Sequence, residues 1–259
     1  MGYFFVGLFA TTLGAIAGLG GGVIIKPVLD ALGQYDLGSI GILSSATVFS
    51  MAIVSLLRAI WSKAELKGKC VALISLGSIL GGVIGKALFR LVTINDSWHA
   101  TIGIFQSMVL ALLMTVVMLL VNNKKDTREV NLTHPMHILM TGLILGMISA
   151  FLGIGGGPLN VAILSLFFGM KPKESVIHSI LIIFFSQGAG LVQVAFTNGF
   201  SMYQLDMLLY MIPGGILGGV IGSVFSSRVS NKWISCVFNA TLVMIICLNF
   251  FNAFSRWRL

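Results

Sequence analysis

The sequence predicts an all-α polytopic membrane protein made of two four-segment repeats, each of which starts with a helix broken by glycines. Of its 259 residues, 57% are apolar and only 9% are charged, and the mean hydropathy is +1.00. The apolar residues form runs of about twenty, which is the length that a helix needs to cross a bilayer. These runs do not alternate apolar and polar residues, so they are not the strands of a transmembrane β-barrel.

The first apolar segment covers about residues 4–32 and contains the glycine run 18–22 (GLGGG). It is too long for one membrane span and too short for two. Each glycine costs about 1 kcal/mol relative to alanine in a helix interior, so the run predicts two half-length helices that meet inside the membrane. Irregular backbone at that depth is tolerated only where protein buries it or where it lines a cavity.

The remaining segments follow in a regular order. Ordinary spans are expected near residues 40–61, 71–92 and 102–121, and a charged loop follows them. The second half has a broken segment at about 138–170, with the glycine run 153–157, and spans near 176–196, 207–225 and 234–254. We therefore divide the chain into a first repeat (1–121), a cytoplasmic linker (122–135) and a second repeat (136–259).

The two halves match residue by residue. The glycine runs are related by an offset of 135 residues, and so are Trp98 and Trp233. The heptapeptide ILGGVIG occurs at 79–85 and again, unchanged, at 216–222. This self-similarity indicates a duplicated four-segment unit.

The distribution of Lys and Arg favours an inverted arrangement of the two repeats. If each broken segment is a re-entrant hairpin, each half crosses three times, and eleven basic residues lie inside against three outside. If each broken segment crosses once, the halves are parallel and the distribution is nine against five. The positive-inside effect prefers the first distribution. Its eleven inside residues are Arg58, Lys63, Lys67, Lys69, Lys124, Lys125, Arg128, Lys171, Lys173, Arg228 and Lys232.

The glycine runs are the first candidate substrate site. A helix that begins just after such a run points unpaired N–H groups and the positive end of its dipole at the break. Two such ends facing each other near mid-membrane would bind an anion without a buried cation. The alternative is that the glycines only allow close helix packing. The candidate substrate-binding glycines are Gly20, Gly21, Gly22, Gly155, Gly156 and Gly157.

Polar side chains near the breaks are further candidates for substrate binding. Residues 179, 183 and 186–187 share one helical face, so polar groups on it can line one side of a cavity. The alternative is hydrogen bonding between helices. The candidates are Ser44 and Thr47 in the first half and Asn160, Ser179, Ser186 and Gln187 in the second.

Two titratable residues also lie near the expected site. Lys26 falls inside an apolar segment, where it either extends to the membrane interface or attracts anions into a vestibule. His178 can titrate around neutral pH and is the candidate for proton coupling. All eight Asp and Glu residues fall at segment ends or in loops, which disfavours a cation pump. The histidines and cysteines lack metal-ligand spacing, so neither a metal nor a cofactor is expected.

Together these motifs resemble the sulfite exporter TauE/SafE family, also called the toluene-sulfonate uptake permease family. The resemblance rests on the broken GxGGG segment in each half and on Lys26-Pro27 after the first, and it covers essentially the whole chain. It implies a secondary transporter for sulfur-containing or small organic anions, such as sulfite, sulfonates or sulfoacetate, in a prokaryotic inner membrane. The second half departs from the family in lacking the proline that many members carry where Ala162 stands.

We therefore predict an exporter of such anions that works by alternating access around the two glycine breaks. Its partners would be the small anion and the lipid bilayer, as a monomer or a homodimer. Nucleic-acid binding is not expected, because the basic residues lie in short loops between apolar runs. The rival classes are an intramembrane enzyme or redox protein, which would need a catalytic constellation, and a membrane scaffold.

Overall fold

The described part of the chain is entirely helical. A computed structural model describes residues 2–62, 68–92, 99–123, 134–197 and 199–257, and these residues form ten α-helices and no strand. Seven of these helices are long and apolar enough to cross a membrane, by length and composition. The polytopic all-α fold class is thereby confirmed. The helices are α1 (Gly2–Ala17), α2 (Gly22–Leu32), α3 (Leu37–Trp61), α4 (Gly68–Val92), α5 (His99–Asn122), α6 (Pro135–Leu152), α7 (Gly157–Phe167), α8 (Pro172–Thr197), α9 (Leu208–Arg228) and α10 (Asn231–Trp257).

The chain leaves helical geometry at both glycine runs. Helix α1 ends just before the first run and α6 just before the second. Three glycines in each run have a positive φ, between 67° and 81°, a conformation that costs other residues about 1–2 kcal/mol. The helices before the breaks have 16 and 18 residues, whereas α2 and α7 have 11 each. At 1.5 Å per residue, α1 and α6 are thus longer than the half-length helices that the sequence predicts.

The first broken segment folds back on itself. Tyr3, at the start of α1, donates a hydrogen bond to the side-chain oxygen of Gln34, just after α2. The rings of Tyr3 and Tyr35 also meet edge to face, with centroids 5.9 Å apart. The beginning of α1 and the end of α2 therefore lie on the same face of the protein.

Glycine-lined contacts between the halves fix the helix directions. Helices α1 and α9 run parallel, because Gly7 packs on Met211 and Gly222 packs on Thr12. Helices α4 and α6 also run parallel, because Gly77 packs on 139–143 and Gly85 packs on 147–150. Each pair joins one helix of the first half to one of the second, and the two pairs are equivalent under exchange of the halves.

One face of the protein carries five cations, four of them near helix ends and one in the loop before α8. We call it the basic face and define it by Arg58, Lys171, Lys173, Arg228 and Lys232. Lys173 joins the start of α8 to the end of α9, since its Nζ donates to the Ser227 carbonyl at 3.1 Å. Helix α3 ends on this face because it runs parallel to α9, with Thr47 against Gly215 and Met51 against Gly219. Trp98 and most of the predicted linker (124–133) lie outside the described residues.

Candidate functional site

The two glycine breaks cross each other in the interior of the protein. A Cβ on Gly157 would overlap the carbonyl group of Leu19 and lie 2.5 Å from its Cα. The reciprocal contact places Gly22 next to the carbonyl oxygen of Ile154, which would be 3.4 Å from a Cβ on Gly22. Leu19 and Ile154 are completely buried. Gly157 corresponds to Gly22, and Ile154 to Leu19, at the same offset of 135 residues. Each break therefore contacts the other through equivalent residues, as in a two-fold arrangement.

A cavity of about 890 Å³ ends at this crossing. Its walls come from α3, α4, α6 and α8, and its inner end includes Gly22, Gly153 and Gly155. Its outer end includes Tyr35 and Tyr203, which lie at the face opposite the basic face. The cavity therefore leads from the membrane interior to the non-basic face.

Lys26 caps the carboxyl end of α6 at the second break. It is only 8% exposed, and its ammonium group donates hydrogen bonds to the Leu152 carbonyl and, at 3.0 Å, to Oε1 of Gln106. Nε2 of Gln106 in turn donates to the Phe151 carbonyl at 2.8 Å. The last carbonyls of a helix have no intrahelical partner and form the negative end of its dipole. Lys26 and Gln106 therefore satisfy these carbonyls and offset the negative potential beside the cavity.

A second lysine in a membrane helix also lines the cavity. Lys86 projects from α4 across Gly190 of α8, where an added Cβ would lie 3.2 Å from Cε of Lys86. Gln187, one turn earlier on α8, lines the same wall and places its Nε2 close to Gly155. The wall thus offers an ammonium group and an amide donor at the inner part of the cavity.

Ser149 adds an unpaired hydroxyl to the lining. It is 7% exposed, and its Oγ has no hydrogen-bond partner in the described part of the chain. It lies beside Gly156, whose added Cβ would be 2.8 Å from that oxygen. A buried polar atom of this kind is costly unless something pairs with it.

Six of the candidate residues from the sequence line the cavity and eight do not. The six are Gly22, Lys26, Ser44, Gly155, Ser186 and Gln187. The eight outside the lining are Gly20, Gly21, Thr47, Gly156, Gly157, Asn160, His178 and Ser179. The two breaks thus contribute unequally to the lining. Gly22, the first residue of α2, lines the cavity. Gly157, the first residue of α7, instead packs on Leu19 of the first break.

Several of the residues outside the lining make internal contacts. Ser179 donates to the carbonyl oxygen of Gly18 at 2.6 Å, so it ties α8 to the first break. His178 is completely buried, with its Nδ1 2.7 Å from the carbonyl oxygen of Glu174. Thr47 donates to the Leu43 carbonyl one turn earlier, and Asn160 is 2% exposed beside Gly156.

The sequence reasoning missed Lys86, Gln106 and Ser149. A signal existed for Lys86, because a charge within an apolar segment marks a functional site by default in membrane proteins. Gln106 is likewise an amide in an otherwise apolar run. Ser149 gave no signal, since a serine in a membrane helix commonly bonds to its own backbone.

Comparisons with known proteins identify a family and a relative of this chain. The family described as sulfite exporter TauE/SafE matches residues 3–249. The chain is also similar to the probable membrane transporter protein YunE of Bacillus subtilis (strain 168). The two are 26% identical over 269 aligned positions, which cover 93% of this chain and 94% of that protein.

Proposed function

The chain belongs to the sulfite exporter TauE/SafE family and is a multi-pass membrane transporter, and we propose that it is a secondary exporter of small sulfur-containing or organic anions. Sulfite, sulfonates and sulfoacetate are the substrates that we consider first. The prokaryotic inner membrane is the proposed location, with the basic face in the cytoplasm.

The observation that carries the proposal is the cavity that ends at the crossing of the two glycine breaks. It lies in the interior of the helices, where transporters of inverted-repeat architecture hold their substrates. Its lining includes Lys86 and Gln187, besides Lys26 and Gln106, which bind the carbonyls at the end of α6. Ammonium and amide N–H groups are donors for the oxygens of an anion. The volume of about 890 Å³ exceeds what a small hydrated anion needs.

The mechanism that we propose is alternating access between two inverted halves. The opposite directions of equivalent helices support the inverted relation. The cavity is open towards the face that would be extracellular, so this conformation would receive or release the anion outside. Exchanging the conformations of the two halves would close this cavity and open its counterpart towards the basic face.

The test is a flux measurement with purified protein in proteoliposomes. Vesicles are loaded with sulfite, thiosulfate, sulfoacetate or taurine, with and without an imposed pH gradient. We expect saturable flux of at least one sulfur-containing anion, and loss of that flux in Gln187→Ala. Gln204→Ala is the matched control, because Gln204 is exposed and outside the cavity. Folded wild-type protein that moves none of these anions would refute the substrate class, and a wider anion screen would follow.

A further inference from the structure

Two cations line the cavity, but their ammonium groups have different surroundings. Lys26 is bound to the Leu152 carbonyl and to Gln106, so two of its three donors are used at the end of α6. Lys86 makes no hydrogen bond or ion pair with any residue of the described ranges. Its three N–H donors are therefore available to a ligand in the cavity. We propose that Lys86 is the cation that binds the transported anion, whereas Lys26 serves to hold the second break.

Gly190 places the Lys86 ammonium in the cavity. It is buried on α8, and a Cβ at this position would overlap the ammonium nitrogen. The absence of a side chain there lets Lys86 lie across α8 and reach the space beside the inner end of the cavity. Its position is thus set by the neighbouring helix as well as by its own.

A second donor lies one turn from the Lys86 ammonium group. Gln187 precedes Gly190 by three residues on the same face of α8, which is a distance of about 5 Å along the helix. Its Nε2 points towards Gly155 at the second break. An oxyanion between these groups would accept charge-assisted hydrogen bonds from Lys86 and a neutral hydrogen bond from Gln187.

Lys86 also lacks a carboxylate partner within the cavity. Asp36 is the one acidic residue among the described residues that line it. Its carboxylate caps α3 by accepting a hydrogen bond from the backbone N–H of Ser39 at 3.0 Å, at the outer end. A cation in the interior of a membrane protein requires a counter-charge, and a small anion in the cavity would supply it.

The internal repeat argues independently against a purely structural role for Lys86. The heptapeptide ILGGVIG precedes Lys86 in the first half and Ser223 in the second. In both copies the first and last glycines make close contacts with a helix of the other half, α4 with α6 and α9 with α1. Because the second copy packs in this way without a lysine, the helix contact does not require the charge.

The experiment compares Lys86 variants in anion flux, and it rests on the proposed function. Lys86→Met should raise KM for sulfite or sulfoacetate about 10- to 100-fold, which is the range of a lost charge-assisted hydrogen bond. Lys86→Arg should retain most of the affinity, because it keeps the charge and the donors. Lys232→Met, on the basic face, is the matched control and should leave KM unchanged.

Gly190→Ala tests the placement of the ammonium group. Its Cβ displaces the flexible end of Lys86 and should raise KM without preventing folding. In the Lys86→Met background the same change should add little, because the group that it displaces is gone. Additive effects of the two changes would contradict the proposed contact.

A binding measurement separates this inference from the proposed transport function. Lys86 in detergent-solubilised protein is allowed to react with an amine-directed reagent, and modification is measured by mass spectrometry with and without sulfoacetate. Protection of Lys86 but not of Lys232 supports the inference even without flux, in which case the transport proposal fails alone. Wild-type flux with an unchanged KM in Lys86→Met overturns the inference and leaves the transport proposal intact. Neither flux nor protection with any of the anions overturns both.

Discussion

The crossing of the two breaks leads to a quantitative prediction for Gly157→Ala. The added Cβ would stand 2.5 Å from Cα of Leu19, whereas carbon atoms in contact prefer about 3.5 Å or more. The two breaks would have to separate by about 1 Å. Overpacking a core costs about 1–3 kcal/mol, and the upper end applies here because backbone opposes backbone. For a chain of this size, about 3 kcal/mol lowers Tm by about 6–12 °C.

Thermal unfolding of the detergent-solubilised protein, followed by tryptophan fluorescence, measures this effect. The transition is compared at a fixed scan rate, because unfolding of such proteins is commonly irreversible. Gly41→Ala is the matched control, since a Cβ at this helical position meets no atom within 4 Å. It should leave Tm unchanged or raise it slightly. A Gly157→Ala protein that unfolds within about 1 °C of wild type would refute the crossing contact.

Two further changes test the lysine cap and the direction of the cavity. Lys26→Met removes the donor from two buried acceptors, the Leu152 carbonyl and Oε1 of Gln106. Each unpaired acceptor costs about 1–3 kcal/mol, so Tm should fall markedly. An unchanged Tm would contradict the capping role. The direction of the cavity is tested in a background without the native cysteines. Ser45→Cys, in the cavity wall, should react with a membrane-impermeant thiol reagent from outside the cell. Ser227→Cys, on the basic face, should react only from inside. Labelling of Ser45→Cys exclusively from inside would reverse the proposed orientation.

The helical fold could be predicted from the sequence because its signals are local. The runs of apolar residues identified the long helices, and the contiguous glycines marked positions that need a positive φ. The helix limits were less accessible: α3 begins at Leu37, where Asp36 caps it, rather than near residue 40. The lengths of α1 and α6 were also missed, because glycine composition marks the end of a helix and not the depth at which that end lies.

The candidate site was only partly predictable, because a helical face gives a direction but not a depth. Ser179 and Ser186 share a face of α8, yet the cavity ends between them. Ser186 lines it, while Ser179 bonds to Gly18 at the crossing. Contacts between helices also decide that Lys26 is bound by the end of α6 and that Lys86 faces the cavity. No spacing within α2 or α4 carries that information.

The exchange of helices between the halves has a consequence for the origin of the chain. Helix α1 packs on α9 and α6 packs on α4, so each half supplies glycine surfaces that only the other half covers. An ancestral unit with one repeat would have exposed these surfaces to lipid unless a second copy inserted upside down beside it. If the halves are inverted as proposed, such an ancestor would have entered the membrane in both orientations, and gene fusion would then have fixed one copy in each. The charge asymmetry of the present loops would be a later acquisition of the fused chain.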